Sequence, residues 1–141
     1  LNTIKMKIFL DDAREPKDCL LYMRKRTPIF KIYEQEWLIV RSYPEFVRAL
    51  GEHAGNISHI SFDHDLVIGH YHINKKDGVI DYESKDFDNT ANRTGWHCAK
   101  YMLNYYDLRG LQYPITIVHS QSEEGTTNII KLITSHNAVT K

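Results

Sequence analysis

Four short stretches of the chain are rich in apolar residues, and each stops abruptly at a polar group. They are 5–10 (KMKIFL), 37–40 (WLIV), 57–62 (ISHISF) and 114–119 (PITIVH). Runs this short, bounded by charged or turn-forming residues, predict strands buried in a sheet. Between them the apolar residues recur at helical spacing. Pro16 begins a helix to about Arg26 that buries Cys19, Leu20 and Met23, and Pro28 ends it. Ser42, at capping-box spacing from Glu45, begins a second over Tyr43 to Leu50, followed by a turn over 51–56. Thr94 begins a third to about Tyr106, with Cys98, Tyr101, Met102 and Tyr105 along one face. A fourth, Glu123 to His136, carries Ile129, Ile130, Leu132 and Ile133. Residues 29–36 predict an extended excursion. Residues 66–93, rich in Gly, Asp, Asn and Lys, have no clean period; that length predicts a lid or a small hairpin over a plain linker.

Strand and helix therefore alternate four times, the pattern of an α/β fold with a parallel sheet covered by helices on both faces. At 141 residues the chain predicts one domain, 1–141. Eighteen basic residues balance eighteen acidic ones, which argues against a globally basic nucleic-acid binder. No apolar run reaches membrane-spanning length, and the first five residues lack a signal peptide's anatomy. Cys19 and Cys98 stand alone without a CxxC, which fits a reducing cytoplasm. No membrane association and no stable protein partner are expected.

In such a sheet, ligands bind outside the carboxyl ends of the strands. Those ends carry Asp11 and Asp12, then Arg41, then Asp63-His64-Asp65, then His119-Ser120. Any one acid after a strand is ordinary, and Asp12 could simply cap the first helix. Four polar strand ends on one edge are a cluster. Several carboxylates brought together cannot all stay ionised without a cation. Oxygen donors suit magnesium or manganese, so Asp11, Asp12, Asp63 and Asp65 are the candidate metal ligands.

The histidines divide. His64 lies between two acids, and His119 faces opposite to Ser120 if the strand persists; either is a proton carrier or a satisfied buried imidazole. His70 and His72 read as loop residues, with no partner at zinc-ligand spacing. Ser120 lacks a GxSxG elbow, so its hydroxyl is a phosphate contact before it is a nucleophile. Residues 121–128 open a helix whose N–H groups suit an anion, and Arg14 and Arg41 could grip the same phosphate. Arg24-Lys25-Arg26 reads as a solvated helix end.

The segments MKIFLDDAREP, FDHDL, RTGWHCAKYM and IVHSQSEEGTTNI, in this order over nearly the whole chain, resemble the cyclic-phosphate-processing receiver domain family. That family is a divergent branch of the response-regulator receivers. The resemblance implies a three-layer, receiver-like (flavodoxin-like) sheet of four to five strands. It further implies magnesium at Asp11 and Asp12, a phosphoryl-accepting position at Asp63 and a phosphate contact at Ser120. Receivers also place a lysine at the end of a fifth strand, for which Lys141 is the candidate here. It implies action on cyclic phosphate ends of a nucleotide or RNA.

The leading expectation is a metal-dependent phosphoesterase. Asp63, His64 and His119 would be catalytic, Arg14, Arg41 and Ser120 would hold phosphate, and residues 66–93 would select the substrate. Two alternatives stand beside it. One is a switch phosphorylated on Asp63; the other is a module that grips a nucleotide or phosphate without cleaving it. A haloacid-dehalogenase-type phosphatase does not fit, because its DxD follows the first strand, whereas here the DxD comes third.

Overall fold

The computed structural model describes residues 5–67 and 75–140, with side chains through residue 137. Among the described residues there are six strands: β1 (Met6–Leu10), β2 (Leu38–Val40), β3 (Ile57–Phe62), β4 (Lys75–Lys76), β5 (Val79–Ile80) and β6 (Ile115–Val118). The α-helices are α1 (Leu20–Met23), α2 (Tyr43–His53), α3 (Gly95–Arg109) and α4 (Glu123–Thr140). The main sheet is parallel throughout, in the order β2-β1-β3-β6, while β4 and β5 pair as a separate antiparallel hairpin. This is the receiver-like α/β arrangement, with four strands in the sheet among the described residues. His70, His72 and Lys141 lie outside those residues.

Alternation along each strand sorts the core into two layers. Ile8 and Leu10 of β1, with Ile60 and Phe62 of β3, point to the layer holding Phe46 and Leu50 of α2 and Met102 and Leu103 of α3. Phe9 points the other way, to Cys19, Met23, Tyr33, Trp37 and Ile117. Helices α2 and α3 cover the first face, with Ile129 of α4 joining the same cluster. The second face is covered by α1 and by 3₁₀ turns over Pro16–Cys19 and Phe30–Glu34. Complete burial of a Phe or Leu side chain contributes about 1.5–3 kcal/mol, so these two layers supply the main driving force.

Several boundaries differ from the sequence reading. The first helix is broken into a 3₁₀ turn and the single turn of α1, because nothing apolar follows Met23 until Ile29; the N–H groups of Arg26 and Thr27 both close onto Met23 O. The excursion at 29–36 is a 3₁₀ helix rather than extended chain. Tyr33 is buried in it, and the Trp37 indole N–H donates to Ile32 O at 3.0 Å. Helix α2 runs on through Gly51 to His53, so the turn after it is shorter than expected. Ser42 Oγ accepts from Glu45 N–H at 3.3 Å, but Glu45 accepts from Arg41 N–H instead of returning a bond to Ser42. Both cysteines are buried and free. No helix among the described residues is long and apolar enough to cross a membrane.

Candidate functional site

Strand register brings the polar ends together. Leu10 is level with Val40 and Phe62, and Phe62 with Val118. The ladder continues one residue further on each strand. Asp11 N–H donates to Val40 O, Asp63 N–H to Leu10 O and His119 N–H to Phe62 O, at 2.9–3.1 Å. Parallel strands lie about 4.8 Å apart, so the residues ending β1, β3 and β6 become neighbours. Asp11, Asp63 and His119 each offer a donor atom, and these atoms lie within 4.8 Å of one another.

The two acids are held differently. Asp11 Oδ1 accepts from the N–H groups of Ala13 (2.9 Å) and Arg14 (2.8 Å), while Oδ2 meets Arg14 Nε (3.1 Å) and His119 Nε2 (3.0 Å). Burial acts to raise its pKa, but the hydrogen bonds from His119, Arg14 and Ala13 outweigh it and hold the carboxyl at about 2. Asp63 is only 4% exposed and has fewer donors. His64 N–H reaches it at 2.8 Å, and Arg14 Nη2 only at 3.5 Å. Burial, then the charge on Asp11, pushes Asp63 up to about 7. A buried carboxyl poised near neutrality beside an ionised one is the electrostatic signature of a functional site.

His119 is fully buried. Its ring stacks on Phe9 at a centroid distance of 4.4 Å and 8° between planes. Burial pushes its pKa down, against the pull of Asp11. The neutral ring then donates from Nε2 to Asp11, and Nδ1 accepts from Ser61 Oγ (2.7 Å), which in turn accepts from Tyr33 Oη (2.6 Å). His119 faces away from Ser120, as alternation predicts; it positions Asp11 from beneath, and Ser120 lines the cavity above. Of the two alternatives read from the sequence, this geometry is that of a satisfied buried imidazole bracing Asp11.

His64 is also fully buried, although its ring borders the cavity. Nδ1 lies 2.5 Å from Asp65 Oδ1 and Nε2 lies 2.8 Å from Tyr82 Oη, which accepts from Asn128 Nδ2 at 3.0 Å. Two glycines make this possible. A Cβ on Gly95 would fall 1.7 Å from Asp63 O, and one on Gly125 would fall 2.4 Å from His64 Cγ. The first turns of α3 and α4 thus press directly on the Asp63-His64 segment, and Gly95 N–H donates to His64 O at 2.8 Å.

The cavity over the acids has a volume of about 610 Å³ and is bordered by Asp11, Asp12, Arg14, Asp63, His64 and Asp65 on one side and by Lys75, Ile80, Ser120, Ser122 and Glu124 on the other. Asp12 is exposed at its rim and does not cap the first helical turn, where Glu15 stands instead. Asp65 Oδ1 is committed to His64 rather than to the acidic cluster.

Arg41 corrects the sequence reading. Its Nη1 donates to the carbonyls of Asp11 (3.1 Å) and Arg14 (2.8 Å), and its Nη2 to Glu15 (3.1 Å), so it braces the loop after β1 from behind. A long side chain at the neighbouring strand end reaches those carbonyls sooner than it reaches the cavity. Arg24, Lys25 and Arg26 are all exposed, as expected of a solvated helix end, and Arg26 Nη1 also donates to Ser120 O at 2.7 Å. At the start of α4, Ser120 Oγ accepts from Ser122 N–H and Ser122 Oγ accepts from Gly125 N–H, so two of the N–H groups expected to face an anion are already bonded.

Tyr82, Gly95 and Gly125 were missed in the sequence. Gly95 and Gly125 sit one and two residues into predicted helices, where glycine weakens a helix. That was the available signal. Tyr82 lies in the aperiodic stretch and carried none.

The donor set fits a divalent cation: two buried carboxylates, one strained by the other's charge, with an imidazole alongside. Receiver domains bind magnesium through acids in this position. No curated protein and no solved structure matches the chain. The family model described as the cyclic-phosphate processing receiver domain matches residues 6–135, nearly its whole length, and the chain belongs to that family.

Proposed function

We propose that this domain opens or hydrolyses a cyclic phosphate on a nucleotide or RNA end, with a divalent metal. The observation that carries this is Asp63, buried at the cavity floor against ionised Asp11 and pushed up to about 7. Without metal this carboxyl is half-protonated near neutral pH, and a cation beside it favours the ionised form, which can accept a proton from water.

Asp11 and Asp63 would hold magnesium or manganese, with Asp12 at the rim and His119 fixing Asp11. When bound, the cation supplies Lewis-acid polarisation of the phosphoryl group. Water oxygen forms the new bond to phosphorus, Asp63 takes the water proton, and one ring P–O bond breaks. His64, entering the step with a proton on each ring nitrogen, would pass the Nε2 proton from Tyr82 Oη to the departing oxygen and leave the ring neutral. Asp65 keeps the ring oriented through Nδ1. The Ser120 hydroxyl would hold a non-bridging oxygen, while Arg14 stays on Asp11, Asp63 and Tyr22 and keeps the two carboxylates in place.

Charge also supports a cyclic substrate. Five carboxyl residues border the cavity (Asp11, Asp12, Asp63, Asp65, Glu124) against two cations, Arg14 and Lys75. A cyclic diester has one negative charge, and a monoester has close to two at neutral pH. The acid-rich wall therefore favours the diester as substrate and helps expel the monoester product.

A second reading, a switch phosphorylated on Asp63, draws on one observation: both ring nitrogens of His64 and of His119 are already hydrogen-bonded. Incubation with magnesium and 2′,3′-cyclic, 3′- and 5′-phosphate ends, followed by ³¹P NMR, separates the readings. Ring opening that stops with EDTA and in Asp63→Asn is expected. Absence of turnover over the whole panel rules the enzyme reading out.

A further inference from the structure

Resting on that reading, we propose that Lys75 is a phosphate-binding residue, held away from the ligand in the resting state by Glu124. Two cations border the cavity among the described residues, Arg14 and Lys75. Arg14 is already committed. Its Nε lies on Asp11, its Nη1 on the Tyr22 hydroxyl at 2.8 Å and its Nη2 toward Asp63. Turning it to an incoming anion would uncover two buried carboxylates.

Lys75 has no such obligation. Its Nζ meets Glu124 Oε1 at 3.3 Å, with the two side chains 51% and 39% exposed. An ion pair this open to water is weak and screened, and an anion with several oxygens can take the lysine from it. The lysine also stands on a tethered arm. It begins the β4–β5 hairpin, which is pinned further along by Ile80 in the cavity wall and by Tyr82 on His64 and Asn128. The ammonium can therefore swing within the mouth of the cavity without the hairpin leaving it. Glu124 has the opposite effect: in the first turn of α4 its charge opposes any anion, and Lys75 neutralises it only until an anion arrives. The pair together sets a threshold for phosphate entry.

The test is binding of inorganic phosphate in the presence of magnesium, followed by amide chemical shifts, in wild type, Lys75→Gln, Glu124→Gln and the double variant. Loss of Lys75 is expected to weaken phosphate about tenfold, the scale of one charge-assisted contact. Glu124→Gln is expected to tighten it severalfold, and that gain is expected to disappear when Lys75 is also absent. Lys75→Arg restores much of the affinity. Both side chains are half-exposed, so the fold is not at risk, and unchanged melting curves check this. Equal phosphate binding by wild type and Lys75→Gln overturns the inference, as does a Glu124→Gln gain that persists without Lys75, or no phosphate binding by wild type. Ring opening by wild type together with any of these outcomes sinks the inference alone. Lys75-dependent phosphate binding without ring opening sinks the enzyme reading alone.

Discussion

His119 Nε2 lies 3.0 Å from Asp11 Oδ2, although the two residues end strands β6 and β1 and β3 runs between them. The imidazole crosses beneath β3, packed on Phe9 and tied to Ser61. Removing it as His119→Ala strips a donor from a buried carboxylate and leaves a cavity beside Phe9. An unfolding free energy lower by about 2–4 kcal/mol is expected from urea titration. Divalent-ion affinity is expected to fall in the same variant. Because this change damages any function of the site, it does not separate an enzyme from a switch.

His64 does separate them. It borders the cavity, its ring bonds to Asp65 and Tyr82, and only its backbone N–H, which a substitution leaves in place, reaches Asp63. His64→Asn keeps a polar side chain in the space left by Gly125. Turnover on a cyclic phosphate is expected to drop about 10²–10⁴-fold, the usual contribution of a proton donor. Metal binding, read by the magnesium-dependent rise in melting temperature, is expected to persist. Unchanged turnover would remove His64 from the mechanism.

Contact between α4 and His64 gives a prediction with a steric origin. A methyl group at Gly125 would sit 2.4 Å from Cγ and 2.6 Å from Cβ of a fully buried ring. Gly125→Ala would ordinarily favour a helix by up to about 1 kcal/mol. Here overpacking is expected to outweigh that and cost about 1–3 kcal/mol in chemical denaturation. The variant is also expected to shift the His64 ring resonances, since the ring must move. A more stable variant with an unmoved ring would mean that α4 does not press on this segment.

The strand ends were legible because a parallel ladder is a short-range device. Once four apolar runs are recognised, the residue after each is fixed on one edge, and Asp11, Asp63 and Ser120 follow. What lay outside that logic was the second layer of contacts. Arg41 also ends a strand, yet its length lets it turn back onto the carbonyls of Asp11 and Arg14, a choice made by tertiary geometry. Tyr82 comes from a stretch with no periodicity, and only the β4–β5 hairpin brings its hydroxyl to His64. The sequence reading rightly allowed a hairpin there but could not say which side chain it carried inward. Five residues are too few for a helical period to show, so the sequence predicts extended chain where the 3₁₀ turn around Tyr33 forms.

Asp63 makes metal-free stability depend on pH in a direction unusual for a carboxyl. Its folded-state pKa is raised, to about 7 from 3.8, chiefly by burial and then by Asp11. The native state thus holds a proton that the unfolded chain releases. Its contribution is full below about pH 4 and is lost as pH rises through 7. Asp11 behaves oppositely, with a pKa lowered to about 2, so its contribution is present above pH 4 and is lost as pH falls toward 2. Three pKa units correspond to about 4 kcal/mol, and relaxation around the ionised group brings the expected loss to roughly 2–4 kcal/mol between pH 4 and 8. Denaturation in EDTA over that range is expected to show the decline, and Asp63→Asn is expected to abolish it. Added magnesium binds the ionised form, so its stabilising effect is expected to grow over the same interval and to be absent from Asp63→Asn. A metal-free stability that is flat from pH 4 to 8 would mean that Asp63 is ionised throughout, and the strain that calls for a cation would not exist.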